Sequence, residues 1–145
     1  MIAIRRSRKG FTLVELLVVI VVLAVLAAIV LPKFVGSATR SKEPALKSDL
    51  KLLRNAITLF NNDTGAYPAT LAALAATTAP AAGFASDGSS KSITAGDWHG
   101  PYLEAVPTDS VSGVAFTYGT TPPDVGKVTS SASGGASDGT AYSSW

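Results

Sequence analysis

The chain of 145 residues has no cysteine, a single histidine and few charges, with only 15% of its residues being Asp, Glu, Lys or Arg. The absence of cysteine excludes a disulfide framework, a thiol nucleophile and a thiolate metal site, and leaves the redox compartment open. If the chain is exported, packing or a metal must do what disulfides often do there. The lone histidine, His99, sits beside Trp98 in a loop-like stretch. Its neighbours include many serines and aspartates, but an isolated histidine is far more often structural than part of a catalytic triad. Basic residues interleaved with aromatics are also missing, so no direct nucleic-acid binding is expected.

The charge that is present is unevenly placed. Arg5, Arg6, Arg8 and Lys9 are four of the twelve basic residues, which leaves eight against ten acidic ones in the rest of the chain. Directly after Gly10 comes "FTLVELLVVIVVLAVLAAIVL", residues 11–31, with one carboxylate, Glu15, and one hydroxyl, Thr12. At about 1.5 Å per residue, a helix of this length crosses the roughly 30 Å hydrocarbon core of a bilayer. It is apolar on every side, which suits lipid or a filament core better than a protein surface. The preceding basic cluster predicts a cytoplasmic N-terminus and an external body.

Two readings of the segment compete. A secretory signal would be cut after it, yet it is long for such a region and "LAA" at 26–28 is a weak stop. A plain signal anchor leaves Glu15 unexplained, because a carboxylate near the bilayer centre costs about 2.5–3.5 kcal/mol and less towards the interface. Either Glu15 lies close to the headgroups, or it has a cationic partner.

Pro32 removes a backbone donor and crowds the carbonyl of Ala28, so a kink is expected there; Pro44 would act likewise against Arg40 or open a restarted helix. Leu46, Leu50, Leu53, Ile57 and Phe60 then recur at spacings of four and three, with Lys47, Asp49, Lys51 and Arg54 on the other face. That spacing predicts an amphipathic helix, ended by "NNDTG" at Gly65. Two heptads are too few for a coiled coil, so the stripe is expected to pack on its own body. Further on, a short helix is expected near 70–77 and a loop over "AAGFASDGSSKSITAGDWHG". "VAFTY" reads as a strand with Val114, Phe116 and Tyr118 on one face, and "VGKVTS" is its candidate partner. "SSASGGASDGT", residues 130–140, has the composition of a flexible linker, although Trp145 beyond it argues against simple disorder. "GTTPPDVGKV" lacks the glycine placement and the Ser/Thr of a phosphate loop, and "NDT" at Asn62 is a sequon short enough to arise by chance.

"KGFTLVELLVVIVVLAVLAAIVLP" resembles the N-terminal signature of type IV pilins and of the pseudopilins of type II secretion. The resemblance continues in "GAYPATLAAL" and in "GPYLEAVPTDSVSG", which share Gly100, Tyr102, Leu103, Pro107, Asp109 and Gly113 with the pseudopilin turn; Ser110 and Val111 replace a Pro-Trp pair there. The body is most like the major pseudopilin of type II secretion.

The likeness implies an α+β "lollipop": a long kinked helix packed on a small antiparallel sheet domain. Its parts would be a cleaved leader at 1–10, a transmembrane or filament-core helix at 11–31, an amphipathic continuation at 32–62 and a globular domain at 63–145. It implies cleavage between Gly10 and Phe11 by a prepilin peptidase that also N-methylates Phe11, and a non-enzymatic role as a filament subunit in a pseudopilus or a surface pilus. Implied partners are other copies of the chain, that peptidase, the inner-membrane assembly platform, minor pseudopilins and the membrane itself. Cleavage would create a positive amine at Phe11, and Glu15 of one subunit would pair with the Phe11 amine of a neighbour; in a dry core only one register matches the two charges. "SDGTAYSSW" resembles a tail that contributes to a calcium site, for which Asp138 and Asp124 are the candidates here; the alternative is a flexible polar tail. Against all of this stands a membrane-anchored, non-polymerising binding or enzymatic domain.

Overall fold

Thr12 and Glu15 sit three residues apart immediately before an apolar run, the spacing of a helix-start capping box. In the computed structural model, which describes residues 10–145 and, of those, all side chains but 31–38, helix α1 begins there and spans Leu13–Thr64. The leader residues 1–9, and the side chain of Pro32 with the kink expected at it, lie outside the described residues. The chain divides into two units, Met1–Ala38 and Thr39–Trp145.

In the first unit, Leu13–Val30 is long and apolar enough to cross a membrane. Its large side chains are exposed all round, from 82% for Leu13 to 44% for Val30. So much contiguous apolar surface calls for lipid or other helices to cover it.

In the second unit the helix buries one stripe. Leu46, Leu50, Leu53, Ile57 and Phe60 are buried as their spacing predicts, and the stripe extends in phase to the polar residues Glu43 and Thr64. α1 continues past Pro44 rather than restarting there, and Pro44 is exposed. Gly65 closes the helix with φ +65°, a conformation that strains any residue with a Cβ. Its N–H donates to the Asn61 carbonyl at 2.7 Å, and the Lys91 ammonium donates to its own carbonyl at 2.7 Å.

The rest of the unit is built from very short pieces around that stripe. Strands β1 (Tyr67–Pro68), β2 (Ala82–Phe84) and β3 (Ser90–Ser92) form an antiparallel sheet with Tyr67 opposite Phe84 and Gly83 opposite Lys91. A Cβ on Gly83 would stand 2.2 Å from the Tyr67 carbonyl oxygen, so only glycine lets β1 and β2 approach. The loop expected over 81–100 is therefore in part a hairpin. Its signal was the Asp87-Gly88 turn, where Ser89 N–H bonds the Asp87 carboxylate at 2.9 Å. Three-residue strands carry too little alternation to be seen as strands.

The expected short helix is a 3-10 helix over Leu71–Ala75, whose Leu74 carbonyl accepts from the N–H groups of Tyr102 and Leu103 at 2.8 and 3.0 Å. Strands β4 (Thr117–Tyr118) and β5 (Val128–Thr129) pair antiparallel, as expected for "VAFTY" and "VGKVTS". The strand is shorter than its alternation suggested: Phe116 is buried, but Val114 points to solvent at 56% exposure. A second 3-10 helix covers Tyr142–Ser144. Residues 130–145 are packed, with Ser130, Ala132, Ala136 and Tyr142 buried, which corrects the reading of a flexible polar tail. The architecture is α+β, one helix against two small antiparallel sheets.

Candidate functional site

The opening carboxylate has a local explanation. Glu15 accepts hydrogen bonds from Thr12 N–H and the Thr12 hydroxyl, both at 2.8 Å, while the Thr12 hydroxyl accepts from Glu15 N–H at 3.2 Å. This reciprocal box satisfies two of the four amides that a helix start leaves without partners. Both bonds that Glu15 accepts among the described residues fall on Oε2. Phe11 is 85% exposed, and together with Glu15, Leu16 and Val19 it lines a shallow apolar cleft of about 310 Å³. Gly10 is likewise exposed, with nothing among the described residues within 4 Å of where its Cβ would stand. Gly10, Phe11 and Glu15 thus share one accessible stretch at the head of an apolar helix.

The other candidate residues lie in the second unit. Asp124 pairs with Lys127 at 3.2 Å, in a polar pocket also lined by Thr117, Gly119, Thr129 and Ser143. Asp138 binds Thr140 N–H at 3.0 Å and its hydroxyl at 2.6 Å through Oδ1, and Lys47 at 3.5 Å through Oδ2. Calcium takes six to eight oxygens, usually including several carboxylates. Among the described residues no three Asp, Glu, His or Cys side chains gather, and each aspartate already faces an ammonium. These residues do not fit a calcium ion. His99 is exposed, with Nδ1 3.7 Å from Asp63 Oδ2, an oxygen that also accepts from the Tyr102 hydroxyl at 2.8 Å.

Two further carboxylates hold the body together: Asp109, named from sequence only as a residue shared with the pseudopilin turn, and Glu43, not singled out from sequence. Asp109 is fully buried. Its Oδ1 accepts from the amides of Val111 and Ser112 at 2.8 and 3.0 Å, and its Oδ2 from the Ser131 amide at 3.1 Å and from the Ser130 hydroxyl. It thereby ties the 109–114 turn to the strand exit after β5. Glu43, 7% exposed, accepts from Ser137 N–H and the Tyr142 hydroxyl, both at 2.8 Å, and from the Ser137 hydroxyl. Sequence carried a signal for each. Glu43 is three residues before Leu46 and in phase with the buried stripe, and Asp109 opens a turn with free amides two and three residues on.

Burial alone pushes the Asp109 carboxyl up, but the Ser130 hydroxyl and the three amides outweigh it and hold it below the usual aspartate value. The Ser137 hydroxyl, against desolvation and with help from Tyr142, likewise holds Glu43 down. A carboxyl depressed in the fold contributes stability above its unfolded value and loses it as the pH falls through the folded one. The second unit is therefore expected to keep its melting temperature from neutral pH down to about pH 5 and to lose it progressively below about pH 4, where unfolded carboxyls protonate. A melting temperature flat through that acid range would contradict this role for the two carboxylates.

Comparison with known proteins agrees with this organisation. Residues 5–31 match the model of the prokaryotic N-terminal methylation motif, and residues 33–143 that of type II secretion system protein G. The chain is 33% identical over 109 residues to type II secretion system core protein G of Pseudomonas aeruginosa, covering 71% of this chain and 77% of that one. It is 34% identical over 103 residues to the core protein G of Escherichia coli, covering 67% and 71%. With the Aeromonas hydrophila core protein G it shares 38% identity over 66 residues, 46% of each chain. No solved structure matches it. With its N-terminal motif ahead of an α+β body matched almost end to end, the chain belongs to the protein G family of type II secretion systems, the pseudopilins.

Proposed function

We propose that this pseudopilin polymerises through its N-terminal helix after a prepilin peptidase cuts between Gly10 and Phe11 and N-methylates Phe11. The observation that carries the reading is the capped, exposed apolar helix starting within three residues of Gly10, with Glu15 as the one acid on its accessible head. Before assembly the helix spans the inner membrane with its basic leader in the cytoplasm. In the filament the same apolar surface is buried against neighbouring helices, and the body is displayed outside. The new Phe11 amine of one subunit meets Glu15 of the next. Pro32 supplies the bend between the membrane segment and the rest of the helix. Other copies of the chain, the peptidase, minor pseudopilins and the inner-membrane assembly platform are the partners, and the role is structural rather than enzymatic.

Mass spectrometry of the chain purified from its native membrane tests the processing. The expected mature protein starts at Phe11 and carries one added methyl group on its amine. A chain that retains residues 1–10 would instead support a membrane-anchored domain that never polymerises.

A further inference from the structure

Residues 130–140 have a linker's composition, yet hydrogen bonds running in both directions fasten 134–145 to one side of α1. Glu43, Lys47 and Arg54 lie four and seven residues apart along one flank of the buried stripe, so Lys47 and Arg54 border it rather than occupying the far face expected of them. Glu43 accepts the Ser137 amide, the Ser137 hydroxyl and the Tyr142 hydroxyl. Lys47 reaches Asp138 at 3.5 Å and lies 4.0 Å from the Trp145 ring centre. Arg54 donates to the Val128 carbonyl at 3.1 Å and to the Trp145 carbonyl. Within the segment, the Trp145 indole N–H binds the Thr140 hydroxyl at 2.6 Å, and Tyr142 and Trp145 meet edge to face at 5.2 Å.

A carboxylate withdrawn from water is costly unless donors replace the water. Each of the three donors on Glu43 comes from a segment more than ninety residues away. Its burial and the docking of 137–142 are therefore one event: undocking would strip the carboxylate of those partners together. The carboxylates of the segment and of the neighbouring pocket are already committed, Asp138 to Thr140 and Lys47 and Asp124 to Lys127. We propose that Glu43 fastens residues 134–145 to α1 in place of the calcium ion that the tail's resemblance implies, so that the order of this segment does not depend on calcium.

Hydrogen exchange on the full chain in detergent, before any assembly, tests this independently of filament formation. The wild-type protein is expected to protect 134–145 equally in chelator and in roughly millimolar calcium, a level that saturates weak extracellular sites. Glu43→Ala is expected to speed exchange in 134–145 on the order of tenfold while the β2–β3 hairpin at 82–92 keeps its protection. Should that variant lose protection everywhere, Ser137→Ala decides the matter, because it removes one donor from an exposed residue and is expected to speed exchange in 134–145 alone. Calcium-dependent protection of the wild-type segment would overturn the proposal. So would unchanged exchange in 134–145 of a folded Glu43→Ala protein or of Ser137→Ala.

Discussion

Replacing Glu15 by alanine is expected to abolish filament assembly while leaving membrane insertion intact. Insertion depends on the apolar surface of Leu13–Val30, which the substitution only enlarges. Assembly, as proposed, places the Phe11 amine in a water-poor core. There an unmatched charge costs several kcal/mol, and in breaking such a pair most of that loss is the charge left behind. At about 1.4 kcal/mol per factor of ten, a loss of about 3 kcal/mol lowers subunit affinity by more than a hundredfold.

The capping box makes a second variant decisive. Glu15→Gln keeps an amide oxygen that can accept from Thr12, and so keeps a cap, but it removes the negative charge. If Glu15 acts by charge, the glutamine variant is as defective as alanine. If Glu15 only starts the helix, the glutamine variant assembles nearly normally. The measurement is filament yield by electron microscopy at matched membrane levels of the subunit. Normal yield from Glu15→Gln would remove the ion pair from the proposed mechanism.

Substitution of Asp109 is expected to have the largest effect on the body itself. Asp109→Ala leaves the buried Ser130 hydroxyl and three partly buried backbone amides without their acceptor. Unmet buried donors cost roughly 1–3 kcal/mol each before relaxation and water entry. A net loss of about 3 kcal/mol, corresponding to roughly 12–24 °C in melting temperature for a domain near a hundred residues, is therefore expected. Asparagine is not a benign replacement. Whichever way its amide is turned, the NH2 group faces a backbone N–H, because each oxygen of Asp109 accepts at least one amide. Both variants should melt far below the parent, whereas a shift of only a few degrees for either would show that the turn is held elsewhere. Asp87, which is exposed and whose carboxylate accepts from nearby Ser89, is the control expected to change little.

What could be read in advance differs between the two units for a physical reason. A membrane-spanning helix satisfies its own backbone, so length and apolarity suffice to recognise Leu13–Val30. The amphipathic stripe from Leu46 to Phe60 was equally legible, because 3.6-residue periodicity is a local property of one element. The box between Thr12 and Glu15 is local too, since its partners are three residues apart.

The sheets were another matter. Strands of two and three residues carry no usable period, and Ala82–Phe84 and Ser90–Ser92 exist because Tyr67–Pro68 and each other give them something to pair with. The fate of 130–145 was decided in the same way. Composition alone describes a linker, but Glu43, Lys47 and Arg54, along with the buried faces of Ala132, Ala136 and Tyr142, turn it into a docked segment. By itself, then, the sequence determined the helix, its capped start, its buried stripe and the accessible Gly10–Phe11–Glu15 stretch, each being set by neighbours within a few turns. Only the tertiary structure decided which carboxylates are buried, what satisfies them and whether the tail is ordered, because those depend on donors that lie up to ninety-nine residues away along the chain.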